Sequence, residues 1–156
     1  PKENTVMFVQ AKAVSDAINS SEWVFPILEC FHIAAFAWSI GTIALVDLSL
    51  FGVGIQHSKP SEQVRATEPW TLIGLFVVLA SGSILFLSDP GMYFYNSSFR
   101  FKVAALAIAL VFNFTIHRKV ALADGSTPLF RVLVATCSLM LWVSVVFGGL
   151  FIAFTF

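Results

Sequence analysis

Charge is scarce in this sequence. Only 12% of the residues are Asp, Glu, Lys or Arg, the nine basic and nine acidic residues cancel, and 58% of the chain is hydrophobic. A soluble domain of 156 residues has too small a core to bury so large an apolar share. A lipid bilayer is therefore the expected partner, because helices in lipid keep apolar outer faces. The balanced charge provides no basic surface, so nucleic-acid binding is not expected.

Motifs for enzyme chemistry are missing as well. The sequence contains no helical H-E-x-x-H, no C-x-x-C pair, no glycine-rich phosphate loop and no serine nucleophile elbow. The two cysteines, Cys30 and Cys137, lie in apolar runs with no second Cys or His at metal-ligand spacing, which favours reduced thiols. We therefore predict no catalytic residue and no metal site, and enzyme activity only as a subunit of a larger complex.

Four long apolar stretches predict an all-α membrane protein, a four-transmembrane-helix bundle in one domain over residues 1–156. Apolar residues at helical spacing before the first stretch predict an N-terminal amphipathic helix at the membrane interface. Four alanines in the third stretch predict that this helix is buried and closely packed. The interfacial helix is predicted at about residues 5–20 and the spans at about residues 23–50, 70–88, 101–117 and 129–155.

The loops between the spans give a weak prediction of orientation. Four crossings place both termini on the same side of the membrane. Lys and Arg are almost evenly divided between the two sides, with a small excess in the first and third loops. The positive-inside rule therefore favours cytoplasmic first and third loops and termini outside the cytoplasm.

Ionisable residues within the spans are the main candidates for function, because each costs about 2.5 to 3.5 kcal/mol near a helix centre. Glu29 and His32 are three residues apart in the first span and so share one helix face. The third span runs parallel to the first and begins with Arg100 and Lys102. We therefore predict a polar cluster of these four residues on the side of the termini.

A second cluster is predicted on the opposite side of the membrane. Asp47 ends the first span, while His117 and Arg118 end the third, with Asn113 one turn inward on the face of His117. An ion pair or hydrogen bond between these residues would fix the register of the two helices, and this structural role is the simpler interpretation.

A functional role is the alternative for Glu29 and His32, because a nearby carboxylate can orient an imidazole that relays protons or binds a cofactor. His32 and His117 lie roughly 20 Å apart along the membrane normal, so they cannot ligate one haem together. A haem b on His32 would need a second ligand from another subunit, and a quinone is the other cofactor considered. The mid-span residues Trp38 and Trp142 are interpreted as packing or lipid-facing.

Short motifs lie along most of the chain: Glu29-Cys30-Phe31-His32, Val46-Asp47-Leu48 after Gly41, Asp89-Pro90, Phe99-Arg100-Phe101-Lys102, and Asn113 with His117. Together they resemble a bacterial family of small four-helix integral membrane proteins of unknown function. The family resemblance implies the four-helix fold and the bacterial inner membrane, without an assigned reaction or ligand. A His in an apolar first span is also similar to copper-resistance D and cytochrome b type membrane subunits.

Three hypotheses for function follow. The first is a non-catalytic membrane subunit that anchors or stabilises a larger complex of membrane proteins, since the loops are short and the apolar faces wide. The second is a redox or proton-conducting subunit with a haem b or quinone site near Glu29 and His32. The third is a metal-ion handling membrane protein that uses His32, Glu29 and Cys30.

Overall fold

The computed structural model describes residues 12–53, 59–123 and 125–155. All regular structure in these ranges is helical. The third apolar stretch is a single continuous helix in which one π-helical turn, Asn113–His117, separates α5 from α6. The helices are α1 (12–19), α2 (Val24–Leu50), α3 (Pro60–Ser88), α4 (Pro90–Tyr95), α5 (Ser97–Phe112), α6 (Arg118–Leu122) and α7 (Pro128–Phe151), which ends in a 3-10 turn (Ile152–Phe154).

Four of these helices are long and apolar enough to cross a membrane, as the sequence predicts: Val24–Leu50, Pro60–Ser88, Ser97–Leu122 and Pro128–Phe154. The third span is longer at both ends than predicted, and the second begins at Pro60 instead of near residue 70. Pro60 starts a helix without penalty because the first turn needs no backbone N–H, and Glu62 accepts the backbone N–H of Lys59 at 3.4 Å. The residues predicted to form an aqueous loop before Trp70 are therefore largely helical.

The four spans form a ring in chain order. α2 packs on α3 and α7, while the third span packs on α7 through α5 and on α3 through α6. The first and third spans therefore lie diagonally across the bundle and meet through side chains at its centre, instead of packing side by side. Glycines allow the closest contacts: Gly74 faces Ser39, Gly82 faces the ring of His32, and Gly148 faces the backbone of Lys102.

The apolar core divides into two layers along the bundle. One contains Trp142, which is 2% exposed, with Ile43 and Leu75 among its neighbours. The other lies near the end of α2 and includes Val46 and Leu50. These layers place apolar side chains between the two ends of the bundle, so the polar groups at each end are separate sites.

The third span is the least buried of the four, contrary to the prediction from its alanines. Ala105 and Ala109 are buried, but Ala104 and Ala107 face outward. Only 17% of its most apolar window is buried, compared with 22 to 33% in the other spans. Alanine permits close packing on any helix face, but it does not determine which faces receive a neighbour.

Helix α1 covers the end of α3. Ser15 Oγ and Asn19 Nδ2 donate to the carbonyl of Ser88 at 2.6 and 3.1 Å, and Ile18 is buried. At the same end of the bundle, Asn96 Nδ2 donates to the carbonyl of Ile152 at 3.2 Å. The part of the predicted interfacial helix before residue 12 lies outside the described residues.

Candidate functional site

A buried carboxylate joins three of the four spans. Asp47 on α2 is fully enclosed, with an exposure of 0%. Its Oδ1 lies 2.7 Å from His117 Nε2 on the third span, and its Oδ2 accepts the hydroxyl of Ser138 on α7 at 2.9 Å. His117 and Ser138 are 3% and 1% exposed. Each oxygen of the carboxylate therefore has a partner, as a polar group in an apolar interior requires.

A small cavity of about 30 Å³ opens beside His117, the imidazole partner of this carboxylate. Thr67 and Thr71 of α3 line one wall and Asn113 and His117 of the third span another. Asn113 is 7% exposed, and its Oδ1 has no hydrogen-bond partner among the described residues. The volume is sufficient for a water molecule, which would occupy roughly 10 to 15 Å³ on this measure.

The π-helical turn places Asn113 and His117 on this cavity. The backbone N–H of Arg118 donates to the carbonyl of Asn113, five residues earlier, in the wider spacing of a π-helix. Both side chains that begin and end the turn are buried. Such single turns inside α-helices occur frequently at functional sites.

Arg118 does not join Asp47, contrary to the predicted cluster. Its guanidinium makes a bidentate pair with Glu68 of α3, with Nε to Oε1 at 2.7 Å and Nη2 to Oε2 at 3.2 Å. The two side chains are 44% and 29% exposed and both line the outer part of the cavity. The helical twist turns Arg118 away from His117 and towards the second span, where Glu68 offers an acceptor near water.

At the other end of the bundle, His32 has a different partner from the one predicted. Its Nδ1 lies 2.8 Å from Ser81 Oγ on α3, and its ring stacks on Phe36 with centroids 6.4 Å apart. Lys102 Nζ lies 5.8 Å from the centroid of the same Phe36 ring. Phe36 therefore sits against both the imidazole and the ammonium group.

Glu29 and Arg100, the other two residues of this predicted cluster, are both exposed. Glu29 lies within electrostatic range of Lys102 and of Tyr93. Partial burial, followed by the negative charges of Glu29 and Asp89, raises the pKa of Tyr93 in α4. The side chain of Arg100 forms no hydrogen bond or ion pair with the residues that the structure describes, so the structure does not unite all four side chains.

Several polar residues of both sites are not in the predicted set. Ser138 forms a hydrogen bond with Asp47, and Ser81 with His32. Thr67 and Thr71 line the cavity, and Glu68 pairs with Arg118. A hydroxyl in an apolar helix usually bonds its own backbone, as Thr67 does to the carbonyl of Gln63. Their sequence signal is therefore the same whether or not they face a site.

Comparison with known proteins adds one match. The chain matches the model of the family of unknown function DUF6644 over residues 24–155. It belongs to this family. No curated protein and no solved structure matches the chain. The part matched to DUF6644 contains all four spans and every residue of both sites, whereas α1 precedes it.

Metal-ligand residues do not gather at either site. Within the described residues, no group of three or more His, Cys, Asp or Glu side chains is placed to hold a metal ion. Cys30 and Cys137 are free thiols on exposed helix faces. The exposed apolar surface around them includes Phe31 on α2 and Met140 on α7, at 65% and 67% exposure. Such faces suit contact with the lipid bilayer.

Proposed function

We propose that the protein is a non-catalytic integral membrane subunit that stabilises a larger complex of membrane proteins. The observation that supports this role is an apolar groove on the outer face of α2 and α3. Ala37 and Gly41, four residues apart, line it with the Trp38 and Trp70 rings, whose centroids are 6.1 Å apart. A Cβ added at Gly41 would meet nothing within 4 Å.

This groove has the character of a helix-packing surface. Small residues four apart let two helix backbones approach closely in lipid, where packing and not hydrophobicity drives association. Within the bundle, the glycines at comparable positions face a neighbouring span, as Gly74 and Gly148 do. Gly41 is the exposed counterpart, and a helix of another subunit is the neighbour we assign to it.

The test replaces Gly41 in the full chain expressed in its own membrane. The Cβ of Gly41→Leu would meet nothing within 4 Å, and leucine favours the helix over glycine, so the variant is expected to fold. The matched control is Ala107→Leu, on an exposed face of α5 outside the groove. In mild detergent we expect native electrophoresis to show the wild type and the control in a defined complex well above 17.1 kDa, and Gly41→Leu released from it. A wild type that migrates as a monomer, or an unchanged complex in Gly41→Leu, would contradict the proposal.

A redox subunit is the second candidate, and the geometry of His32 favours it. Ser81 Oγ engages Nδ1, which leaves Nε2 as the ring nitrogen for an axial ligand, and ligating histidines are commonly oriented through their second nitrogen. His32 is partly exposed near the outer surface, so a haem b there would lie at a subunit interface with its second ligand from the partner.

An absorption spectrum of the isolated native complex tests this candidate. A Soret band that shifts on reduction and disappears in His32→Ala, but persists in His117→Gln, is expected if His32 ligates haem. A complex without a Soret band in either redox state would exclude haem ligation by His32.

We further infer that the protein resides in the bacterial inner membrane with periplasmic termini, because the loop charges slightly favour this orientation. A reporter that fluoresces only in the cytoplasm, fused after Phe156, should be dark. Bright fluorescence would reverse the orientation.

A further inference from the structure

The cavity beside His117 is lined by an unsatisfied acceptor that the fold does not explain. Asn113 Oδ1 is buried without a partner, in a protein that pairs both oxygens of the neighbouring carboxylate. A buried carbonyl oxygen without a hydrogen-bond partner destabilises the folded state. A hydrogen-bond donor small enough for about 30 Å³, such as one or two water molecules, would satisfy it.

The cavity also provides a polar route towards water. Thr71 Oγ1 lies 2.8 Å from Thr42 Oγ1 and 3.0 Å from the carbonyl of Thr67, so its hydroxyl can also accept from a molecule in the cavity. Glu68 and Arg118 line the outer part and are themselves partly exposed. Polar groups therefore continue from the aqueous end of the bundle to His117.

We propose that Asp47, His117 and Asn113 form a proton-binding site whose cavity water exchanges protons with the aqueous phase beside the Glu68–Arg118 pair. The ligand is a proton together with the water that delivers it. The inference is independent of the proposed subunit role, since it concerns the interior of the bundle and not the groove at Gly41.

The exchange needs only the groups present and water. With His117 Nε2 directed at Asp47 Oδ1, the second ring nitrogen, Nδ1, is the one that can meet cavity water. When water donates a proton to Nδ1, the imidazole releases its Nε2 proton to the carboxylate. The pair gains one proton in total, and the aqueous phase returns a proton to the water. The reverse sequence discharges the site.

Charged groups around the site are few. α3 contributes Glu68, which is paired with Arg118 of the third span. α7 contributes the hydroxyl of Ser138, and its one charged residue, Arg131, lies about two turns before it. α2 contributes Asp47 itself. The Asp47–His117 pair is therefore enclosed mainly by hydroxyl, amide and apolar groups.

The test measures proton exchange at His117 in the full chain. Protein labelled with ¹⁵N-histidine, purified in detergent micelles, gives separate imidazole signals, and His117→Gln identifies the signal of this ring. We expect its N–H proton to exchange with water on the timescale of seconds or faster although the side chain is 3% exposed. Asn113→Leu, of similar shape but without the acceptor, should slow exchange about five- to tenfold, the effect of one lost hydrogen bond to the cavity water.

Two further variants test whether proton exchange at His117 depends on the polar groups of the cavity and not only on the burial of the side chain. Thr71→Val preserves the side-chain volume and provides a second test if Asn113→Leu fails to fold; it should slow exchange in the same direction. Ser39→Ala removes a buried hydroxyl of α2 outside the cavity and should leave the rate unchanged. A His117 proton protected for hours in the wild type would refute the proton-binding site. An exchange rate unaffected by both Asn113→Leu and Thr71→Val would refute it as well.

Discussion

Asp47→Ala is the most informative perturbation of this bundle. The substitution removes both carboxylate oxygens and leaves the imidazole of His117 and the hydroxyl of Ser138 without their partner, across three spans. It also opens a void in a site with 0% exposure. The structure therefore predicts a loss of stability with two separable parts, lost hydrogen bonds and lost packing.

The magnitude follows from those parts. Hydrogen bonds between membrane helices contribute about 0.6 kcal/mol on average and up to about 1.7 kcal/mol. Two such bonds amount to roughly 1 to 3 kcal/mol, and the void adds about 1 kcal/mol. We expect Asp47→Ala to lower the free energy of unfolding by about 2 to 4 kcal/mol. Asp47→Asn, which can still accept from His117 and donate to Ser138, should cost less than about 1 kcal/mol.

Unfolding in mixed micelles by added sodium dodecyl sulfate provides the assay. Trp142 is 2% exposed in the core, so its fluorescence should report the loss of tertiary packing. Ser138→Ala completes a double-mutant cycle. Because Asp47→Ala already removes the bond to Ser138, the double variant should be more stable than the sum of the single effects by about 1 kcal/mol.

Two results would refute this reasoning. A free energy of unfolding for Asp47→Ala within about 0.5 kcal/mol of wild type would mean that the buried contacts contribute almost nothing. Strict additivity with Ser138→Ala would mean that the bond between the two side chains is not formed.

Three other predictions can be tested with similar measurements. Gly74→Ala should lower the free energy of unfolding by about 1 to 3 kcal/mol because the added Cβ would meet Ser39. The control Gly41→Ala should raise the free energy of unfolding by about 0.5 to 1 kcal/mol, because its Cβ meets nothing and alanine favours the helix. Equal effects of the two substitutions would contradict the close contact of α2 and α3. Glu68→Gln should cost less than about 1 kcal/mol in the same assay because its ion pair is partly exposed, and a larger loss would show that the pair is structurally essential. Because the pKa of Tyr93 is raised in the folded state, the free energy of unfolding should fall as the pH rises above the ordinary tyrosine pKa of about 10. Tyr93→Phe should remove that part of the decline. An identical pH profile of the two proteins would contradict the raised pKa of Tyr93.

Sequence reasoning was most successful where composition alone decides the outcome. Long apolar runs have only one stable arrangement in lipid, the helix, because every backbone group must be paired within its own segment. The number of spans was therefore predictable, but their ends were less so. Pro60 was interpreted as part of a loop although proline is tolerated in a first helical turn, and the third span continues to Leu122 past charged residues that reach water from the helix end.

Only some of the contacts between side chains can be predicted from the sequence. The parallel course of the first and third spans predicts Asp47 and His117 at the same depth, and the structure joins them at 2.7 Å. Depth alone also predicts Arg118 beside Asp47. Adjacent residues on a helix point in different directions, however, and Arg118 faces Glu68 instead. Depth in the membrane follows from residue count, whereas direction around the helix axis depends on which neighbour lies there.

The apolar stretches by themselves determined that the described part of the chain forms four membrane-compatible helices with a few ionisable groups near their ends, because a segment that is apolar on every side can pair its backbone groups in lipid only within a helix. Tertiary structure alone decided the ring of spans, the π-helical turn at Asn113, the hydrogen bond from Ser138 to Asp47 and the cavity beside His117. Each of these depends on the rotation of one helix relative to another, and small differences in packing set that rotation without a periodic signal in the sequence.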